Sequence, residues 1–130
     1  MSISVHNLSY RYPSSHTNVF DDFSIDIKPG ITLLKGYSGC GKSTLLRIIA
    51  SILKPDNGSV TTSSPYKYGS PQYLRKEVGF VFQQLNLLPL ASVERNVEMA
   101  ASLAGESKKS ASQWLKLFGL DELTKRKPAS

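Results

Sequence analysis

Apolar residues near the start of the chain recur at every second position, a spacing that is typical of strands with one buried face. Residues 19–27 show this spacing at Phe23, Ile25 and Ile27 and predict a strand with one buried face, and the mixed polar and apolar residues 3–12 predict an antiparallel strand. The short and mostly apolar stretch at residues 31–34 predicts a third strand, which leads directly into a glycine-rich segment.

The apolar spacing becomes helical from Lys42 onwards. The apolar positions of this helix are Leu45, Leu46, Ile48, Ile49, Ile52 and Leu53. Pro55 and Gly58 are placed to end it. Residues 59–62 then predict a short strand, and the polar residues 63–71, which include Pro and Gly, predict a loop.

A continuous apolar run, Val78-Gly79-Phe80-Val81-Phe82, has the character of a strand buried on both faces, as in a parallel sheet. Ser92 is placed to cap a helix beyond it. The apolar positions of two successive helices follow, at Val93, Val97, Ala100, Ala101 and Ala104 and then at Ala111, Trp114, Leu115 and Phe118. Gly119 is suited to end the second helix.

Composition and charge narrow the possible classes of protein. The chain has 130 residues, which suits one domain, and contains no apolar run near the roughly 20 residues that span a bilayer. Its one cysteine, Cys40, excludes an internal disulfide and favours the cytosol. The net charge is +6, but the basic residues are scattered and not interleaved with aromatic ones, so we expect no nucleic-acid partner.

The strongest chemical signal is the segment from Gly36 to Ser43, which matches the phosphate-loop pattern G-x-x-x-x-G-K-[ST] between a strand and a helix. Its glycines let main-chain N–H groups approach phosphates at a helix N-terminus. Lys42 supplies a cation for the β- and γ-phosphates, and Ser43 offers a hydroxyl to Mg²⁺. Thr44 is a candidate for the α-phosphate, through its N–H or its hydroxyl. The expected nucleotide-binding residues of this segment are Gly36, Ser38, Gly39, Cys40, Gly41, Lys42, Ser43 and Thr44.

Cys40 is the unusual member of this loop, and two interpretations of it stay open. A helix N-terminus and the neighbouring Lys42 favour a thiolate. Alternatively, the position is simply variable and the thiol has no role.

Three segments together resemble the nucleotide-binding subunit of ATP-binding cassette (ABC) transporters. One is the phosphate loop continued into its helix, Ser38-Gly39-Cys40-Gly41-Lys42-Ser43-Thr44-Leu45-Leu46. The second is similar to the Q-loop of that family, Val78-Gly79-Phe80-Val81-Phe82-Gln83-Gln84-Leu85-Asn86-Leu87-Leu88-Pro89. The third is the helix start Ser92-Val93-Glu94-Arg95-Asn96-Val97.

The resemblance implies an α/β fold, the P-loop NTPase fold of the ABC type. It implies an N-terminal antiparallel β part, a core of parallel strands and the start of a helical subdomain. Residues 1–89 would form the nucleotide-binding core, and residues 90–130 would begin the helical subdomain. The implied ligands are ATP and Mg²⁺. The implied partners are a transmembrane permease and a second nucleotide-binding subunit, at the cytoplasmic face of the membrane.

The resemblance also implies roles for individual residues. Gln83 would contact Mg²⁺ or the attacking water and report on the transmembrane partner, unless it is only an amide at the end of a strand. Tyr12 matches the aromatic residue that stacks on adenine. Tyr10 competes for that role because both tyrosines lie on one face of the strand, and either one could instead pack on the sheet. The residues Asn86-Leu87-Leu88-Pro89 look like the branch that moves lipoproteins, peptides or macrolides.

Several motifs that the family uses for hydrolysis do not occur in this sequence. There is no Leu-Ser-Gly-Gly-Gln signature, and His6 and His16 both precede the phosphate loop. Asp121-Glu122 resembles the end of the catalytic strand, but the apolar residues before it keep helical spacing. We therefore expect Asp121 to be the N-cap of a short helix. The resemblance ends just before the signature, as in the N-terminal part of a cassette.

Other functions stay open beside an ATPase subunit that drives transport. The chain fits a nucleotide-binding module that does not hydrolyse its ligand, or an ABC ATPase that acts outside transport. A small kinase or GTPase is disfavoured by the Q-loop and by the absence of an Asn-Lys-x-Asp motif.

We expect this chain alone to bind ATP weakly and to show no measurable turnover, because phosphoryl transfer needs groups that position water and Mg²⁺. Phosphate release by the purified chain is the measurement. Turnover that the Lys42→Ala substitution abolishes would contradict this expectation.

Overall fold

The strands and helices follow the order that the sequence predicts, except for two predicted strands that do not form and one helix that was not predicted. The computed structural model describes residues 1–84, 86–105 and 107–128. Its elements are β1 (Ile3–Tyr10), β2 (Phe20–Ile27), α1 (Lys42–Ile49), β3 (Asn57–Thr62), α2 (Pro71–Lys76), α3 (Val93–Ala104), α4 (Lys108–Leu117) and a 3-10 turn (Asp121–Leu123). Leu85, Ala129 and Ser130, which belong to segments discussed above, lie outside the described residues.

The sheet has three strands in the order β2-β1-β3, and both pairings are antiparallel. The register of β1 with β2 shifts between Val5 and Leu8, next to Asn7, whose φ is 49°. The Asn7 side chain donates to Asp22, which also has a positive φ of 52°. This irregularity explains why Val5 and Leu8, an odd number of residues apart, are both fully buried.

The core of this part of the chain lies where α1 packs on the sheet. Its buried residues are Val5, Leu8, Tyr10, Phe20, Leu45, Ile48 and Val60. Leu45 and Ile48 are three positions apart and share one face of α1. Burying a side chain of this size stabilises a fold by about 1.5–3 kcal/mol, so this one face fixes α1 on the sheet.

Two tyrosines close the C-terminal end of α1. The Tyr73 hydroxyl donates to the carbonyl of Ile49 at 3.0 Å, and the Tyr68 hydroxyl donates to the carbonyl of Ile48. The Ile49 carbonyl is among the last of the helix, which have no partner within it, and the Ile48 carbonyl also accepts from the N–H of Ser51 at 2.8 Å. Tyr73 belongs to α2, which the sequence analysis did not predict, although Ser70 as N-cap followed by Pro71 is a recognised helix start.

The two predicted parallel strands do not form. The described residues 31–34 and 78–82 make no strand ladder, and the side chains of Ile31, Leu33 and Val81 are exposed. A strand buried on both faces is stabilised by the strands beside it. The described sheet is entirely antiparallel and offers these segments no pairing partner, so their apolar character alone does not produce a strand.

The chain divides into two compact units, residues 1–79 and residues 80–130. In the second unit, the predicted cap Ser92 is confirmed, since its hydroxyl accepts from the N–H of Arg95 at 3.2 Å. Two further N–H groups at the start of α3 donate to carbonyls of Thr124 and Arg126, at 3.0 and 2.8 Å. Within the described part of the chain, none of the helices has the length and apolar character needed to span a bilayer.

The prediction for Gly119 is confirmed and the one for Asp121 is wrong. Gly119 follows the last residues of α4 with a φ of 66°, which suits a helix C-terminus. Asp121 is the first residue of the 3-10 turn, and Leu120 occupies the cap position with no side-chain hydrogen bond. Leu120 therefore stands where a capping side chain would be, and a leucine has no side-chain oxygen to accept from the N–H groups of the turn.

We expect the stability of the fold to fall in alkaline solution through Tyr73. Burial raises the pKa of Tyr73 above its usual value of about 10, because the buried site disfavours the charged phenolate. Stabilisation is therefore complete below pH ~10 and is lost as the pH rises through the raised pKa. Tyr73→Phe should lower the free energy of unfolding at pH 8 by about 1–3 kcal/mol, because the Ile49 carbonyl loses its donor, and should weaken the alkaline dependence.

Urea unfolding at pH 8 and pH 11, followed by circular dichroism, measures both effects. Tyr66→Phe removes the hydroxyl of an exposed tyrosine in the preceding loop and is the matched control. Equal pH dependence in the two variants would contradict the prediction.

Candidate functional site

The start of α1 is fixed by a close backbone contact at Gly41. This residue is the N-cap of α1 and has a φ of 93°. A Cβ on it would lie 2.8 Å from Cγ1 of Val19 and 2.9 Å from Cζ of Phe20. Both the dihedral angle and the space therefore require glycine here, and the helix N-terminus lies directly against the start of β2.

The N-terminus of α1 presents main-chain donors without partners inside the helix. The first intrahelical bond in this region runs from the N–H of Leu45 to the carbonyl of Gly41, at 2.8 Å. The N–H groups of Lys42, Ser43 and Thr44 come before it, and α1 has neither a side-chain cap nor an acidic residue in its first turn. Such an end attracts anions through its N–H groups and the helix dipole.

Lys42 holds its ammonium group over the loop that precedes α1. Nζ donates to the carbonyls of Gly36 and Tyr37 at 2.8 and 2.7 Å, and lies 3.6 Å from Sγ of Cys40. Among the described residues, no carboxylate pairs with Lys42. The described partners of this ammonium are therefore two carbonyl oxygens and a sulfur, and an anion can outcompete them.

A cavity of about 500 Å³ is lined both by the phosphate loop with the start of α1 and by the segment that follows β1. Its lining comprises Tyr12, Val19, Ser38, Gly39, Gly41, Lys42, Ser43 and Thr44. Seven of the predicted site residues are thus brought together, and the sequence analysis missed only Val19, an apolar residue that no motif marks. Gly36 lies behind the cavity as an acceptor for Lys42, and Cys40 lines a smaller cavity of about 150 Å³.

Of the two candidate tyrosines, Tyr12 reaches this cavity and Tyr10 does not. Tyr10 belongs to the buried core, and only 7% of it is exposed. The ring of Tyr12 is half-buried, meets the ring of Tyr10 edge-on at 5.1 Å, and lines the cavity with one side. Burial therefore removes Tyr10 as the residue that a planar ligand would contact.

Thr44 has its hydroxyl engaged already. Thr44 Oγ1 and Tyr12 Oη share a hydrogen bond of 3.0 Å, and only 5% of Thr44 is exposed. Of the two atoms of Thr44 that the sequence offered to a phosphate, the N–H is the one with no partner inside the helix.

Ser43 is the candidate metal ligand of this cavity. Its side chain is exposed at the second position of α1. In the described part of the chain, no group of three or more His, Cys, Asp or Glu side chains is arranged to hold a metal ion. A single hydroxyl such as that of Ser43 suits Mg²⁺, because nucleotide phosphates and water supply most of the ligands of this ion.

Gln83 lies in the second unit, in an exposed segment without regular structure. Asn96 fixes the part of this segment nearest to α3. Its Nδ2 donates to the carbonyls of Leu88, Ala91 and Ser92 at 3.2, 3.3 and 2.9 Å, and its Oδ1 accepts from the N–H of Leu88 at 2.7 Å. The sequence analysis assigned no role to Asn96, because these bonds are invisible in a hydrophobic pattern.

Comparison with protein families agrees with this geometry. A family model described as ABC transporter matches residues 20–130. The uncharacterized ABC transporter ATP-binding protein MT1014 of Mycobacterium tuberculosis is 35% identical over 117 residues, which cover 84% of this chain and 47% of that protein. The methionine import ATP-binding protein MetN of Cupriavidus metallidurans is 36% identical over 138 aligned positions, which cover 98% of this chain and 40% of that protein.

A solved structure supports the fold. The ATP-binding cassette MJ0796, in a dimeric post-hydrolysis state bound to ADP and Pi, matches with a TM-score of 0.80 at 29% identity. The match covers 97% of this chain and 61% of that one. The chain thus spans less than half of the two sequence relatives and about three fifths of the solved cassette.

Alkylation of Cys40 should block nucleoside triphosphate binding, and a bound nucleotide should protect the thiol. Sγ lies 3.6 Å from Nζ of Lys42, and only 2.7 Å from where a Cβ on Gly36 would be. A group added to the sulfur must therefore displace the lysine or the loop backbone. Affinity after treatment with N-ethylmaleimide should fall more than about tenfold, as expected for losing a charge-assisted contact.

Mass spectrometry gives the extent of modification, and titration calorimetry gives the affinity. The Cys40→Ala protein, treated identically, is the control and should keep its untreated affinity. Fully alkylated protein that binds nucleotide normally would show that the thiol has no influence on the site.

Proposed function

This chain belongs to the ABC transporter family, and on that premise we propose that it binds ATP in the cavity between the phosphate loop and Tyr12. One observation carries the proposal. The unpartnered N–H groups of α1, the ammonium of Lys42 and an aromatic ring line a single cavity of about 500 Å³. Anion donors beside a planar apolar surface suit a ligand with phosphates at one end and a base at the other.

The roles we propose follow the chemistry of each group. Lys42 leaves the carbonyls of Gly36 and Tyr37 and contacts the β- and γ-phosphates. The main chain around Ser38, Gly39 and Cys40 and the N–H groups that open α1 surround the phosphates. The Tyr12 ring stacks on adenine.

We propose that Mg²⁺ enters with the nucleotide and is held by the hydroxyl of Ser43, with Gln83 as a further ligand. The support for Ser43 is its exposed side chain at the mouth of the cavity. The support for Gln83 is the Q-loop resemblance and an exposed amide that is accessible to a ligand. When bound, Mg²⁺ neutralises phosphate charge.

In the whole protein, we propose that this chain forms part of a subunit that couples ATP binding and hydrolysis to transport through a membrane permease. The support is the matched family and the name of MetN, an import ATP-binding protein. The dimeric state of MJ0796 supports a second nucleotide-binding subunit as partner. Such an assembly places the chain at the cytoplasmic face of the membrane.

The branch of the family is a finer proposal. Asn86-Leu87-Leu88-Pro89 supports a subunit that serves a lipoprotein, peptide or macrolide permease. That branch resembles exporters. MetN and another relative, the taurine import ATP-binding protein TauB, are named as import proteins, which favours import as a second candidate. Reconstitution of the full-length subunit with each class of permease, followed by substrate movement in vesicles, decides between them.

Removal of the Lys42 ammonium tests the proposed binding site. Lys42→Ala should weaken Mg-ATP binding by about ten- to a hundredfold, the range for losing hydrogen bonds from a charged group. Equilibrium dialysis with Mg-ATP measures the affinity. Lys67→Ala removes an exposed lysine from the loop before α2 and is the control, with an affinity within twofold of the wild type.

The proposal fails if wild-type protein with a native circular dichroism spectrum retains no Mg-ATP. It also fails if Lys42→Ala binds as tightly as the Lys67→Ala control.

A further inference from the structure

The hydrogen bond between Tyr12 and Thr44 joins two parts of the site that are 32 residues apart in the chain. The two hydroxyl oxygens are 3.0 Å apart. Thr44 is the buried polar residue of the described core, with 5% exposure, and no described buried polar side-chain atom is left without a partner. The bond is part-buried, with Thr44 as its buried partner, so water competes less for the Thr44 hydroxyl than it would at an exposed position.

The Tyr12 ring is held at two points. The ring meets that of Tyr10 in a T-shaped contact, at an interplanar angle of 82°, and its hydroxyl is bonded to Thr44. Tyr12 lines both the 500 Å³ cavity at the phosphate loop and a second cavity of about 360 Å³, which Arg11 and His16 also line. Its orientation therefore determines the shape of the space beside the phosphate loop.

We propose that Thr44 is a positioning residue for the base of the nucleotide. Through its hydroxyl it fixes the Tyr12 ring at a set distance from the N–H groups of α1. The surface that contacts the phosphates and the surface that contacts the base are then at a fixed distance from each other before the ligand binds. This inference rests on the proposed function and adds to it that one side chain of the phosphate helix controls recognition of the base.

The physical reason is preorganisation. A free tyrosine side chain rotates about its first two side-chain bonds, and that freedom is lost when a base stacks on it. A ring that is already fixed loses less freedom on binding, so the base contributes more to the affinity. The alternative role of the Thr44 hydroxyl is direct contact with a phosphate, which would act on any polyphosphate whether or not it carries a base.

Two probes separate these roles, namely ATP and inorganic tripolyphosphate, each titrated calorimetrically with Mg²⁺ into the full chain. The quantity of interest is the ratio of the two affinities. Thr44→Val and Tyr12→Phe should each lower this ratio by about three- to tenfold, the range for one hydrogen bond. Thr44→Ser, which keeps the hydroxyl, should restore it. The Thr44→Val, Tyr12→Phe double variant should fall no further than either single variant, because both remove the same bond.

Matched controls lie outside the site. Thr61→Val and Tyr66→Phe remove a threonine and a tyrosine hydroxyl from exposed positions, and both should keep the wild-type ratio. A general loss of folding lowers both affinities together and leaves the ratio unchanged, so the ratio reports positioning and not stability.

An unchanged ratio in Tyr12→Phe or in Thr44→Val would overturn the inference while leaving ATP binding intact. Equal weakening of both probes by Thr44→Val, in protein that keeps a native circular dichroism spectrum, would also overturn it, in favour of direct phosphate contact. If folded wild-type protein binds neither probe, the proposed function itself fails.

Discussion

The contact of Gly41 with Val19 and Phe20 sets the position of the first turn of α1, and with it the position of the site residues on that turn. Because glycine has no Cβ, the first turn of α1 can lie against the start of β2. The Cβ of any other residue here would collide with the side chains of Val19 and Phe20. Leu45 and Ile48 then bury the same helix in the core of the sheet. The donors at the helix N-terminus and Tyr12, two residues beyond β1, are thereby placed around one cavity. Core packing and ligand geometry depend on the same few atoms.

The elements that were predicted correctly from the sequence are those in which the spacing of apolar residues matches the spacing of the side chains on one face of the element. β1, β2, α1 and the two later helices belong to this group, as does the cap at Ser92. The irregularity around Asn7 was not predictable, because it depends on side chains of another strand, Asp22 and Ser24. Helix α2 had a visible signal in Ser70 and Pro71, which an analysis based on apolar spacing overlooks.

The two missing strands show what an apolar run does not specify. Composition indicates that residues 78–82 tolerate burial on both faces and that residues 31–34 are mostly apolar. It does not supply the neighbouring strand whose N–H and C=O groups complete the ladder, and a strand without that ladder gains little from its apolar side chains. The likeness to a solved cassette, at a TM-score of 0.80, shows that the chain can follow the path of this fold without that ladder in the described residues.

The candidate site was predictable as a set of residues but not as a set of bonds. A phosphate-loop pattern identifies the lysine, the glycines and the hydroxyls because each chemical role restricts the residue type. It does not reveal that Lys42 is bonded to carbonyls of its own loop, or that Thr44 is bonded to Tyr12. Those partners depend on how the loop and the sheet come together.

The hydrogen bonds already present among the site residues also determine how much each group adds to the affinity for nucleotide. A phosphate that takes Lys42 from Gly36 and Tyr37 replaces two hydrogen bonds with new ones, so the gain is a difference and not a sum. The N–H groups of α1 have no such competitor within the helix, and their interaction with phosphate is offset only by the loss of water. The helix terminus, more than the lysine, is therefore the part of this site whose contacts add directly to binding. The lysine also selects ligands whose charge is high enough to draw it away from its own loop.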